Sequence, residues 1–156
     1  MRLLRFDIAF PVDEIAFQES GYRIKLSDAD LDILAADGIM NTMLITFDFG
    51  PFSWEVDVQD GHSIRCRDVF EAIYKTFNEK LTLEEQRLVN DRRAVEAAFR
   101  LRCEHVPGLS EVERSFGWKR VDVLVHQTIF LGLTQPKSRG GWVLNLGTVP
   151  RAPRVS

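Results

Sequence analysis

Met43-Leu44-Ile45-Thr46-Phe47-Asp48-Phe49, then Gly50-Pro51, then Phe52-Ser53-Trp54-Glu55-Val56-Asp57-Val58 is the stretch that decides the fold. Met43, Ile45, Phe47 and Phe49 share one face of a period-2 pattern, and Trp54, Val56 and Val58 share a face after the Gly-Pro turn signal. Two strands joined this tightly predict a hairpin with an aromatic side. The rings of Phe47, Phe49, Phe52 and Trp54 would suit a platform for stacking bases or sugars. The apolar area that each ring removes from water favours a core role instead.

Beyond Asp60-Gly61 the period changes from 2 to 3.6. Val69, Phe70, Ile73, Tyr74, Phe77 and Leu81 recur at three- and four-residue steps, as on an amphipathic helix. Thr82-Leu83-Glu84-Glu85 reads as a capping box that starts a second helix. This helix is expected to run to about His105 and stop before Pro107-Gly108, with Leu88, Val95, Phe99 and Val106 on one stripe. Arg93, Glu96, Arg100 and Glu104 alternate in sign on its far side, which neutralises a solvated face rather than building a phosphate-binding stripe. Arg92 and Arg102 flank the apolar stripe, so each is expected to snorkel or to meet a carboxylate.

Towards the N-terminus, Leu4, Phe6, Ile8 and Phe10 alternate with Arg5, Asp7 and Ala9, predicting a strand over residues 3–10 that Pro11 ends. Tyr22, Ile24 and Leu26 predict a second strand, and Ser27 caps a short helix that Gly38 closes. Towards the C-terminus, Ser110 to Gly117 predicts a short helix. Val121, Val123 and Val125 alternate with Arg120 and Asp122 as a strand, and Ile129–Leu133 and Trp142–Leu146 predict two more around a Gln135–Gly141 loop. Strands and helices are thus segregated. The expected architecture is a single α+β domain over 1–148, a twisted antiparallel sheet with the helical pair of residues 67–105 on one face, and a tail at 149–156. Pro150 to Pro153 in that tail is formally a P-x-x-P segment, and a frayed terminus is the simpler expectation.

Composition bounds the function. The chain has 156 residues, 45% of them hydrophobic, with 20 basic and 23 acidic side chains, so it can bury a core without disulfide or zinc staples. Residues 1–64 hold 4 basic and 12 acidic residues against 16 and 11 in residues 65–156, an asymmetry read as attraction between the halves. No apolar run approaches a membrane span of roughly 20 residues, and the charged start Met1-Arg2-Leu3-Leu4-Arg5 does not resemble a signal peptide. An intracellular location, cytoplasmic or nuclear, is expected. Cys66 and Cys103 are too few for a four-ligand zinc site and read as small buried thiols.

Ser53-Trp54-Glu55-Val56, Arg67-Asp68-Val69-Phe70-Glu71-Ala72-Ile73-Tyr74, Gly117-Trp118-Lys119-Arg120-Val121-Asp122-Val123-Leu124, Phe130-Leu131-Gly132-Leu133 and Trp142-Val143-Leu144 occur in this order. Their order and spacing resemble a family of uncharacterised domains from mushroom-forming, basidiomycete fungi, across about residues 43–146. The resemblance implies a fungal origin and a compact α+β domain, and it transfers no activity. One position departs: where the family tends to have Thr three residues before the helical Asp68, this chain has Arg65, which removes the N-cap hydroxyl.

No catalytic motif stands out. Cys66, His126 and Asp122 are the best candidates for a thiolate, base and orienting carboxylate. If Asp122 and His126 lie on one strand, four residues set them roughly 13 Å apart, too far for a hydrogen bond. His62 reads as a turn residue and His105 as a helix-end residue favoured by the dipole. Asp122 is expected to pair with Arg92 or Arg102. The leading expectation is a non-catalytic binding module without a cofactor or metal, whose partner is another protein or a second copy. Phe52 and Trp142 would be its anchors. The alternatives are a small-molecule binder or enzyme using Arg92, Arg102 and Asp122 in a pocket between helices and sheet, and nucleic-acid binding through Arg87, Arg92, Arg93 and Arg100.

Overall fold

Alternating burial sets the centre of the molecule, in a computed structural model that describes residues 2–36, 40–59, 61–106, 108–137 and 140–149. The strands are β1 (Leu3–Arg5), β2 (Ala16–Glu19), β3 (Tyr22–Lys25), β4 (Thr42–Phe49), β5 (Phe52–Gln59), β6 (Ile129–Thr134) and β7 (Trp142–Gly147). The helices are α1 (Asp28–Leu31), α2 (Cys66–Phe77), α3 (Leu83–Arg87), α4 (Arg92–His105), α5 (Ser110–Phe116) and α6 (Arg120–Val123). Along β5 every second residue is buried, from Phe52 to Val58, and the register runs from Phe49↔Phe52 to Thr42↔Gln59. Gly50, with φ +56°, supplies the left-handed residue that the two-residue turn needs.

The class is α+β, with a mixed sheet. The order is β5-β4-β7-β6, and β4 pairs with β7 in parallel through Ile45↔Trp142 and Thr46↔Val143. The expected single sheet is in fact two, because β1, β2 and β3 form a separate three-stranded meander. The strand expected over 3–10 divides between them. After Arg5 the chain leaves the meander, Phe6 O accepts from Phe130 N at 2.8 Å, and Ile8 N donates to Thr128 O at 3.0 Å. The alternation survives this switch, since Phe6 and Ile8 both stay buried.

α2 packs on β5 through Val69, Phe70, Ile73 and Phe77. Phe77 meets Phe47 and Trp54 edge-on at 5.6 and 5.7 Å, and Phe6 meets Phe70 at 5.3 Å. Arg65 offers no capping hydroxyl, but its backbone N–H donates to the Asp68 carboxylate at 2.8 Å, and this starts the helix. Ser27 and Thr82 cap α1 and α3 as expected.

Two further expectations are corrected. The helix predicted over 82–105 breaks between α3 and α4, because Asp91 accepts from Ala94 N at 3.0 Å and caps a new helix. α4 then packs on α5 and α6 rather than on the sheet, and Leu88 is left 46% exposed. The strand expected at Val121–Val125 is the short helix α6, in which Asp122 accepts from Lys119 N at 2.8 Å and Val125, at φ +57°, ends the turn. Gly38, Asp60, Pro107, Ser138, Arg139 and the tail from Pro150 lie outside the described residues. Among the described residues no helix is long and apolar enough to cross a membrane.

Candidate functional site

The α4–α6 contact is built around two buried charges. Arg102 Nε lies 2.8 Å from one oxygen of Asp122 and its terminal nitrogen 3.0 Å from the other, a bidentate fork. The other terminal nitrogen donates to Glu113 of α5 at 3.0 Å, and Lys119 reaches the same carboxylate at 3.3 Å. Burial alone would lower the Arg102 guanidinium, but Asp122 and Glu113 more than offset this and hold it above its ordinary value. Arg102 and Asp122 are 4% and 2% exposed, so neither offers a surface to a ligand. Of the two expected partners for Asp122, the fold selects Arg102. The Asp122 oxygens accept from the Arg102 guanidinium and from Lys119 N, so this carboxylate is held in the α4–α6 contact.

A second polar cluster joins β5 to the helices. The indole N–H of Trp54 donates to Glu85, whose other oxygen accepts from Thr82 N at 3.0 Å. Arg120 lies over the Trp54 ring at 5.6 Å and pairs with Glu79 at 3.2 Å. Burial pushes the Glu85 carboxyl up, but the Thr82 and Trp54 hydrogen bonds and Arg120 outweigh it, and the group sits below its ordinary value.

The exposed face of α4 is different. Arg92, Arg93, Glu96, Ala97, Arg100 and Trp118 line a groove of about 470 Å³. Trp118 donates to Glu96 at 2.8 Å, and Arg100 pairs with the same carboxylate at 3.2 Å. Arg92 lies over the Trp118 ring at 5.4 Å and, among the described residues, donates only to the Gln86 carbonyl. Among the described residues neither Arg92 nor Arg93 has a carboxylate partner. The groove therefore carries two uncompensated cations beside an indole. α5, which leads through Gly117 into Trp118, leaves Leu109, Val112 and Phe116 exposed at 75, 49 and 53%.

Of the predicted site residues, Arg102 and Asp122 meet in the α4–α6 contact, and Phe52, Trp142 and Arg92 lie elsewhere. Phe52 is 5% exposed and stacked on Trp54 at 5.2 Å, so it is a core ring rather than an anchor. Trp142 is half-buried against the core, and its carbonyl accepts from the Thr46 hydroxyl. Arg92 stands at the groove, beside Arg93 and Arg100 of the expected nucleic-acid set. Trp118 is a groove residue that periodicity does not reveal, although a tryptophan just past a helix-ending glycine is a readable signal.

A second recess of about 370 Å³ lies beside the N-terminal segment, with Arg5, Asp7, Arg23 and His105 on its wall. Burial pushes the Asp7 carboxyl up, against hydrogen bonds from Ala9 N and Thr128. Both thiols are free, and burial raises Cys66 and Cys103 alike. Among the described residues no three His, Cys, Asp or Glu side chains are grouped to hold a metal ion.

The sequence signature of a family of unknown function, DUF6699, matches residues 4–141. The chain belongs to the DUF6699 family. The match to DUF6699 takes in the meander from its second residue, the β4–β5 hairpin, α1 to α6 and the Arg92–Trp118 groove, and it stops one residue before β7. No curated protein and no solved structure matches this DUF6699 chain.

Proposed function

We propose that this DUF6699 chain is a non-catalytic binding module that holds an acidic segment of a protein partner in the Arg92–Trp118 groove. The observation that carries the reading is the pair of guanidiniums, Arg92 and Arg93, left without carboxylates beside an indole. Arg and Trp are the side chains that most often dominate binding energy at protein interfaces. Two free cations suit one or two acidic side chains and fall short of the net-positive stripe that nucleic acid requires. The exposed Leu109, Val112 and Phe116 next in the chain supply apolar area for the same partner. The raised thiols and the buried, paired Asp122 support a non-catalytic reading. The family resemblance supports a basidiomycete source, and the two free thiols an intracellular setting.

The test is retention of proteins from a lysate of the source organism by the immobilised chain, with nuclease, compared with Arg92→Glu/Arg93→Glu. The expected result is a protein retained in near-equal amount by the wild type and lost by the variant. Retention that nuclease abolishes, or that the variant keeps, overturns the proposal. Small-molecule binding is the second reading, favoured by the recess at Asp7 rather than by Arg102 or Asp122. A rise in melting temperature with a metabolite, lost in Asp7→Ala, would establish it.

A further inference from the structure

β5 is the outer strand of the four-stranded sheet, and its free edge is regular over its whole length. The two-residue turn makes Phe49↔Phe52 a hydrogen-bonded pair, so Phe52, Trp54, Val56 and Val58 bond inward to β4. Ser53, Glu55, Asp57 and Gln59 then aim their N–H and C=O groups outward over about 20 Å. Among the described residues no backbone or side-chain group pairs with these outward groups. The opposite edge of this sheet is not open in this way, because residues 6–8 bond to Thr128 and Phe130.

The side chains of the same four residues are exposed. Glu55 has no cationic partner among the described residues, and Asp57 accepts only from Gln59. Their cross-strand neighbours on β4 are Thr46 and Leu44, which supply no charge.

The geometry points to strand addition at β5 by an extended segment of another protein, with Lys or Arg at alternating positions opposite Glu55 and Asp57. Backbone pairing supplies affinity, and the two carboxylates supply selectivity. The basic side chains fall on the outer face, and the residue between them falls on the inner face beside Trp54 and Val56. A second copy of β5 is disfavoured, since antiparallel pairing of two such edges sets carboxylates against carboxylates. β3 of a second copy is only four residues long, and its Arg23 is already tied to Glu14. This surface is separate from the Arg92–Trp118 groove, and Arg92→Glu/Arg93→Glu is expected to leave it intact.

The test is residue-resolved amide exchange on the whole chain, alone and with a synthetic peptide alternating lysine with threonine. In the free protein the amides of Ser53, Glu55 and Asp57 should exchange faster than those of Trp54 and Val56. The peptide should slow the outward amides by about tenfold or more at about 1 mM. A glutamate–threonine peptide should not. Glu55→Pro removes one outward N–H without removing a bond to β4, and should weaken protection while Trp54 and Val56 stay slow. Glu55→Lys/Asp57→Lys keeps the backbone and should abolish protection, which serves if the proline variant fails to fold. Outward amides already slow in the free chain, equal protection by the acidic peptide, no protection at about 1 mM, or protection that grows with protein concentration alone would each overturn the inference.

Discussion

Arg102 and Asp122 are the pair on which most depends per atom. Each is buried, and each satisfies the other with two hydrogen bonds. Removing one partner strands a charge out of water, so Arg102→Met should cost about 3–5 kcal/mol. Arg102→Met/Asp122→Leu should cost much less than the sum of the single changes, as measured by urea unfolding of all four proteins. Additive losses would show that the two charges are not coupled. Glu85 makes a prediction about pH. Its carboxyl is lower in the folded chain than in the unfolded one, so its contribution is complete above the unfolded value of about 4.3 and is lost as pH falls through the folded value. Stability should fall more steeply with acid in the wild type than in Glu85→Gln below about pH 4.5. Parallel curves would contradict the assignment. The Arg102–Asp122 contact was half legible in the sequence. Two arginines beside an apolar stripe demanded carboxylates, but the choice between Arg92 and Arg102 depended on where α6 docks, which no local pattern encodes.

At the scale of elements, α2 is joined to the sheet through rings. Phe77 is fully buried and meets both Phe47 and Trp54, one from each strand of the hairpin. Phe77→Ala should destabilise by about 3–5 kcal/mol, read as a lower urea midpoint. A loss below about 1 kcal/mol would mean that the neighbouring rings close the cavity. The hairpin and α2 were readable because their periods are long and uninterrupted: eight residues of alternation in each strand, and twelve of helix. Shorter elements were not. β2 carries one large apolar residue, Phe17, so its alternation is too weak to see, although the Ser20-Gly21 turn after it is a hairpin signal. Val121 and Val123 match a strand, but four residues are too few to separate the two periods, and a cap at Asp122 decided for helix. The α3–α4 break is hidden because the apolar stripe continues across it.

On the scale of the whole molecule, the two sheets share residues 3–8. β1 belongs to the meander, and residues 6–8 belong to the edge of β6, so the N-terminus ties the sheets together. This division could not be read from a strand pattern that looks continuous. The groove face of α4 lies outside the sheets, and its parts come from two places in the chain, Arg92 to Arg100 and Trp118. The sequence showed alternating charge there but not that Glu96 would be shared by Arg100 and the indole, which leaves Arg92 and Arg93 over.

The parallel pairing of β4 with β7 sets an order in time. During synthesis the β4–β5 hairpin emerges first, and the strand that must lie against its inner edge follows about ninety residues later. At ribosomal speeds this is roughly 5–20 s during which one side of β4 has no neighbour. A nascent chain of this kind is open to any passing strand for that interval, and its yield in the cell will depend on what shields β4 until Trp142 and Val143 leave the exit tunnel.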